Sequence, residues 1–152
     1  MKHAATACLL AAAALAPALA CAQETQPTPA GLWKTIDDDG KTEKSLVRIA
    51  DDYGVFSGKV EKIFDPAKAD ATCAKCEDER KDKPIVGMTI LGEVRQDARE
   101  RGLFDGGWIL DPANGKSYRV RLRPVDGGRK LEVRGYVGMP MLGRTQTWIR
   151  AE

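Results

Sequence analysis

The stretch Ser117-Tyr118-Arg119-Val120-Arg121-Leu122-Arg123 decides how the chain is read. On an extended backbone Tyr118, Val120 and Leu122 share one side, while Ser117, Arg119, Arg121 and Arg123 share the other. Alternation with a period of two marks a strand with one dry face and one wet face. Lys130–Val137 repeats the pattern, with Leu131, Val133, Gly135 and Val137 opposite Lys130, Glu132, Arg134 and Tyr136. In Arg144–Arg150 neither row is plainly core, since Arg144, Gln146, Trp148 and Arg150 stand against Thr145, Thr147 and Ile149.

Outward from these segments, Gly31–Ile36, Ser45–Ile49, Val55–Phe64, Pro84–Leu91 and Gly107–Leu110 read as further strands. They are separated by turn-forming runs such as Asp37-Asp38-Asp39-Gly40, Asp51-Asp52-Tyr53-Gly54 and Asp126-Gly127-Gly128. Asp65–Lys83 is a long charged insertion holding Cys73 and Cys76, and Glu93–Arg101 reads as a loop or one helical turn. No long apolar helix repeat occurs, and about eight strands in sequential hairpins predict an all-β, antiparallel up-and-down barrel.

Ahead of the domain, residues 1–22 read as a signal peptide: Lys2 and His3 give a positive start, and Ala4–Leu15 is an apolar run too short to span a bilayer. Cleavage is expected after Ala22, or alternatively after Ala20. Removing 22 of 152 residues leaves 130. Cys21 as a lipoprotein cysteine is a further alternative, opposed by Ala18 where a large aliphatic residue is usual. Residues 23–30, with Pro27 and Pro29, read as a flexible arm, and 31–152 as a single domain. No later apolar run is long enough for a membrane helix, so a periplasmic or secreted protein is expected.

Composition narrows the chemistry. Net charge is +2, falling to +1 without Lys2, which does not suggest a nucleic-acid partner. The one histidine, His3, lies in the leader, so a Ser-His-Asp or Cys-His site, a HExxH zinc site and a c-type haem ligand set have no imidazole to use. Ser45, Ser57 and Ser117 have no visible base, and nothing among the 22 acidic residues singles out a catalytic pair. Asp37, Asp38 and Asp39 read as a hairpin turn in preference to a Ca²⁺ site. No metal and no cofactor is expected.

Gly31-Leu32-Trp33, Ile109-Leu110-Asp111-Pro112 with Asn114-Gly115-Lys116, and Val133-Arg134-Gly135-Tyr136 followed by Leu142-Gly143-Arg144-Thr145-Gln146-Thr147-Trp148 together resemble a bacterial family of exported proteins. The family is catalogued as domain of unknown function family 2147. The resemblance runs from Gly31 to Arg150 and includes Pro84-Ile85-Val86-Gly87-Met88 and the paired cysteines. It implies a lipocalin-like (calycin-like) barrel in the periplasm, and no established activity. In lipocalin-like barrels the tryptophan of an opening Gly-x-Trp closes the barrel under a basic side chain of the last strand. That likeness implies a barrel-closing pair of Trp33 with Arg150 or Arg144.

Cys73-Ala74-Lys75-Cys76 supports three readings. A local disulfide is the simplest in an oxidising compartment. A redox pair would sit at a helix start, away from carboxylates such as Glu77, Asp78 and Glu79, and a metal would need ligands beyond two sulfurs. Haem attachment fails because Glu77 stands where histidine would follow.

Arg134 and Tyr136 share a face, and in small fatty-acid-binding barrels an Arg-x-Tyr pair holds a ligand carboxylate. With Trp33, Arg144, Gln146 and Trp148 they form the candidate ligand site. Parity points the other way for Arg134 and Tyr136, putting them in solvent. Should a polar row face inward, its arginine requires a bound anion or an internal carboxylate.

Two functions follow. One is a module binding a small apolar or amphipathic, carboxylate-bearing molecule in the barrel. The other is a non-enzymatic envelope structural or interaction protein, with a filled barrel that presents loops 65–83 and 138–143 to a protein partner. Met139, Met141 and Leu142 would form its apolar tip. Thiol chemistry at Cys73 and Cys76 is the one enzyme reading with named residues.

Overall fold

The computed structural model describes residues 26–152; residues 1–22, expected to be a signal peptide, and residues 23–25 of the expected arm lie outside them. Eight strands follow one another: β1 (Gly31–Ile36), β2 (Glu43–Asp52), β3 (Val55–Ile63), β4 (Thr89–Gln96), β5 (Phe104–Asp111), β6 (Lys116–Val125), β7 (Lys130–Tyr136) and β8 (Arg144–Arg150). Each pairs antiparallel with its neighbour in sequence, and β8 returns to β1 to close the barrel. This is the all-β up-and-down architecture that the alternating segments predict.

Inward positions are filled with apolar side chains. Val47, Phe56, Leu91, Val94, Val120, Leu122, Leu131, Val133 and Trp148 are each at most 3% exposed. Phe56 and Phe104 meet edge to face, with ring centroids 5.1 Å apart. Because every strand has two neighbours, no long sheet edge is left to recruit another chain.

Two expectations are corrected. The fourth strand is Thr89–Gln96, not Pro84–Leu91. Glu93 has a φ of 62°, so the chain kinks and Ile90, Leu91 and Gly92 are buried in succession; the alternation that would mark the strand is broken there. Pro84–Met88 instead ends the insertion. Val137, assigned to the dry row, is 70% exposed, because β7 ends at Tyr136 and Gly138, at a φ of 72°, turns the chain away. Of the arm, Gln26–Ala30 is packed across one end of the barrel: Pro29 is buried, and Arg101 Nε donates to Gln26 Oε1 at 2.7 Å.

That end is closed by Trp33 and Arg150. The Trp33 indole is fully buried and donates from Nε1 to the Pro29 carbonyl at 2.7 Å. The Arg150 guanidinium lies 4.2 Å from the Trp33 ring centroid. It also donates to the carbonyls of Gly128 (2.6 Å), Ala30 (3.0 Å) and Thr28 (3.3 Å). Burial holds this guanidinium below its ordinary pKa. Backbone pairing of β1 with β8 covers Trp33↔Arg150 and Lys34↔Ile149, so the arginine side chain adds bonds where the seam is short. Arg150→Ala is therefore expected to cost about 2–3 kcal/mol in urea unfolding, since three carbonyls lose a charged donor. Arg129→Ala, which removes an exposed ion pair, should leave the unfolding midpoint close to that of the parent.

Candidate functional site

Inward-facing polar groups are found on β8. Its register against β7 sets Leu131 opposite Trp148, Val133 opposite Gln146 and Gly135 opposite Arg144. Residues directly opposite share a face, and Leu131 and Val133 belong to the core. Trp148, Gln146, Arg144 and, beyond Trp148, Arg150 therefore all point inward. The row rises from the buried Trp148 indole through half-buried Gln146 to Arg144 at the rim, whose side chain is 63% exposed.

Around these groups the barrel end opposite Trp33 forms a shallow mouth. Ile109 and Tyr118, which are register partners, and Gly135 are half-buried there. A Cβ on Gly135, opposite Arg144, would sit 3.7 Å from Tyr118 Cβ and 3.8 Å from Ile109 Cγ2, which is ordinary contact, so these three residues adjoin beneath Arg144. Asn114 Nδ2 donates to the Tyr118 hydroxyl at 3.0 Å. Trp148 Nε1 donates to Gln146 Oε1 at 3.4 Å, and Gln146 Nε2 donates to Asp38 Oδ1, also at 3.4 Å. The Arg144 guanidinium pairs with the same Asp38 oxygen. Asp38, whose side chain is 55% exposed, is thus the carboxylate that faces the polar row at the rim of the barrel and not inside it.

The six candidate ligand residues are divided among three places. Arg144, Gln146 and Trp148 come together at the mouth, and Trp33 lies at the opposite, closed end. Arg134 and Tyr136 are on the outer wall, as their parity dictates, though neither is free in solvent. Arg134 donates to the carbonyls of Pro140 (2.6 Å) and Met141 (3.3 Å) and to Thr145 Oγ1 (2.7 Å), clasping the 138–143 loop. Tyr136 is 4% exposed, and its hydroxyl bonds to Asp105 Oδ1 at 3.2 Å while Arg121 Nε donates to Asp105 Oδ2 at 2.6 Å. The sequence reading missed Asp38, Ile109 and Tyr118 as one group. The inward position of Arg150, carried along β8 by a period of two, is the signal that leads to them.

Cys73 and Cys76 form a disulfide with Cα atoms 5.4 Å apart, and both are buried. They sit in the core cluster with Leu110 and Met88, where the insertion packs on the outer wall. A Cβ on Gly115 would run into the Lys75 carbonyl, so the β5–β6 hairpin needs glycine where the insertion crosses it. The Arg80 guanidinium lies 5.3 Å from the Trp108 ring centroid and binds Asp78, whose carboxyl it pulls down to about 2. A groove of about 640 Å³ runs between the insertion and Trp108, and a smaller one of about 230 Å³ lies beside Arg121 and Arg134. Asp37–Thr42 is a turn, with Asp39 Oδ1 accepting from the backbone N–H of Lys41 and Thr42 at 2.8 Å each. Among the described residues no cluster of three or more His, Cys, Asp or Glu could hold a metal, and no helix is long and apolar enough to cross a membrane.

Comparison with solved structures places this barrel in the lipocalin-like class. It is similar to "Protein HP1028 from the human pathogen Helicobacter pylori belongs to the lipocalin family", with a TM-score of 0.70 and 21% identity over 83% of this chain and 84% of that one. At that identity the likeness is one of fold. The family model described as "Uncharacterized protein conserved in bacteria (DUF2147)" matches residues 31–150, and the chain belongs to this family. No curated protein matches.

The disulfide closes a very short loop, so replacing Cys73 and Cys76 by Ser should cost about 2 kcal/mol. The β-sheet circular dichroism should survive, while limited proteolysis should cut between residues 65 and 88 at a protease dose that leaves the oxidised parent intact. Cuts spread over the whole chain would show that the bond supports the barrel itself.

Proposed function

We propose that this chain is an exported binding protein that takes a small amphipathic molecule at the mouth of its barrel. The observation that carries the reading is the convergence of Arg144, Gln146 and the Trp148 indole N–H beside the half-buried surface of Ile109, Tyr118 and Gly135. An apolar surface with a few convergent polar groups is the usual composition of a small-molecule site. Below Trp148 the interior is packed, so the ligand rests in the rim and does not descend into a deep cup. Export is supported by the leader-like residues 1–22 and by the disulfide, which suits an oxidising compartment.

A second reading has its own support. Val137, Met139, Met141 and Leu142 are 70%, 54%, 73% and 76% exposed, forming an apolar tip on the β7–β8 connection that suits an envelope protein partner.

Gly135→Leu separates the two. Gly135 is outside the left-handed region and a Cβ there makes ordinary contacts with Tyr118 and Ile109, so a leucine places its apolar side chain over the surface offered to the ligand without backbone strain. Decanoate binding measured by calorimetry should weaken at least about tenfold in this variant, as a filled site loses its apolar contact. The thermal midpoint should be unchanged or raised. Equal binding by both proteins, or none by the parent, would overturn the proposal and leave the partner-facing reading.

A further inference from the structure

We infer that Asp38 occupies an anion subsite of the mouth as an intramolecular stand-in, and that the ligand bears a carboxylate which displaces it. This rests on the binding reading above and names the chemistry of the ligand's head.

The subsite is built from donors alone. The buried Trp148 indole engages the Gln146 amide oxygen, which turns the amide NH₂ toward Asp38 Oδ1. Arg144 approaches the same oxygen with its guanidinium. A charged fork and an oriented amide on one oxygen recognise a carboxylate, and Asp38 supplies one. Gly135, directly opposite Arg144, presents no side chain here, and a Cβ on it would lie in ordinary contact with Tyr118 and Ile109, which form the apolar floor for a tail.

Asp38 is poised to leave. Its side chain is 55% exposed and that of Arg144 is 63% exposed, and an exposed ion pair contributes at most about fivefold to an equilibrium. Asp38 follows the end of β1 at Ile36, so it sits in the turn and not in a strand ladder. The turn is held by its neighbours: Asp37 Oδ1 accepts from the Asp38 N–H at 2.9 Å, and Asp39 accepts from Lys41 and Thr42. The Asp38 carboxylate can therefore rotate away while the turn stays intact. Backbone pairing of β1 with β8 lies further down, at Trp33 and Lys34, and is not broken by that rotation.

The test compares decanoate with decanol, which share a tail and differ in the head, on the parent, Asp38→Asn and Arg144→Gln by calorimetry. Asp38→Asn should bind decanoate about two- to fivefold more tightly than the parent, because the competing carboxylate is gone. Arg144→Gln should weaken decanoate about two- to fivefold, and decanol should respond to neither change. Asp38→Ser, which keeps a turn-forming residue, should follow Asp38→Asn and guards against a folding artefact. If decanol and decanoate both bind but removal of Asp38 leaves decanoate unchanged or weaker, the displaced-carboxylate inference falls and the mouth reading stands. If neither probe binds any of the proteins, both fall together.

Discussion

The Arg150 guanidinium joins the last strand to the first. It stacks on Trp33, bonds three carbonyls from the entering segment and the β6–β7 turn, and is the register partner of Trp33 on a seam with little backbone pairing. A residue that must face inward at the closed end sets the parity of its whole strand. Trp148, Gln146 and Arg144 then face inward too, two residues apart, and arrive in turn at the core, the upper interior and the rim. A one-residue slip of β8 would put Thr145, Thr147 and Ile149 inside and leave the mouth without a cation.

The same constraint reconciles a filled barrel with a binding surface. Trp33 below and Trp148 above bound an interior of aliphatic and phenyl side chains, which gives the fold its stability and leaves no deep cup. Above Trp148 polar chemistry lies at the rim, where solvent still hydrates Arg144 and Asp38 and their charges escape the cost of burial. On the outer wall, Arg134 and Tyr136 are spent on structure: one clasps the 138–143 loop and the other is bonded to Asp105. The disulfide-pinned insertion covers a second apolar patch around Leu110 and Met88.

Much of this is legible in the sequence, and the illegible parts have identifiable causes. β6 and most of β7 can be read because their rows separate cleanly into apolar and charged. β8 cannot, since its inward row mixes a core indole with a rim cation, a rim amide and a closing guanidinium; hydropathy alone assigns no face to such a row. β4 is displaced in the reading because its kink at Glu93 buries successive residues and exposes charged ones next to them. The hydrogen bonds that residues 28–30 make are illegible in the sequence, because their carbonyls accept from the buried Trp33 indole and from Arg150, and for the arginine the partners are over a hundred residues apart. The family resemblance supplies the fold in advance. It supplies no ligand, and Asp38 emerges only when the β1–β2 turn and β8 are seen side by side.

The chain contains three tryptophans, and the structure puts one at each place a ligand could report: Trp33 at the closed end, Trp108 on the outer wall beside the insertion, and Trp148 beneath the mouth. The most direct measurement is therefore the shift of the three indole N–H resonances in a ¹⁵N-correlated NMR spectrum as decanoate is added. Binding at the mouth predicts that the Trp148 resonance moves, since its hydrogen-bond partner Gln146 contacts the ligand head, while those of Trp33 and Trp108 hold their positions. A shift confined to Trp33 or Trp108, with Trp148 unmoved, would contradict it.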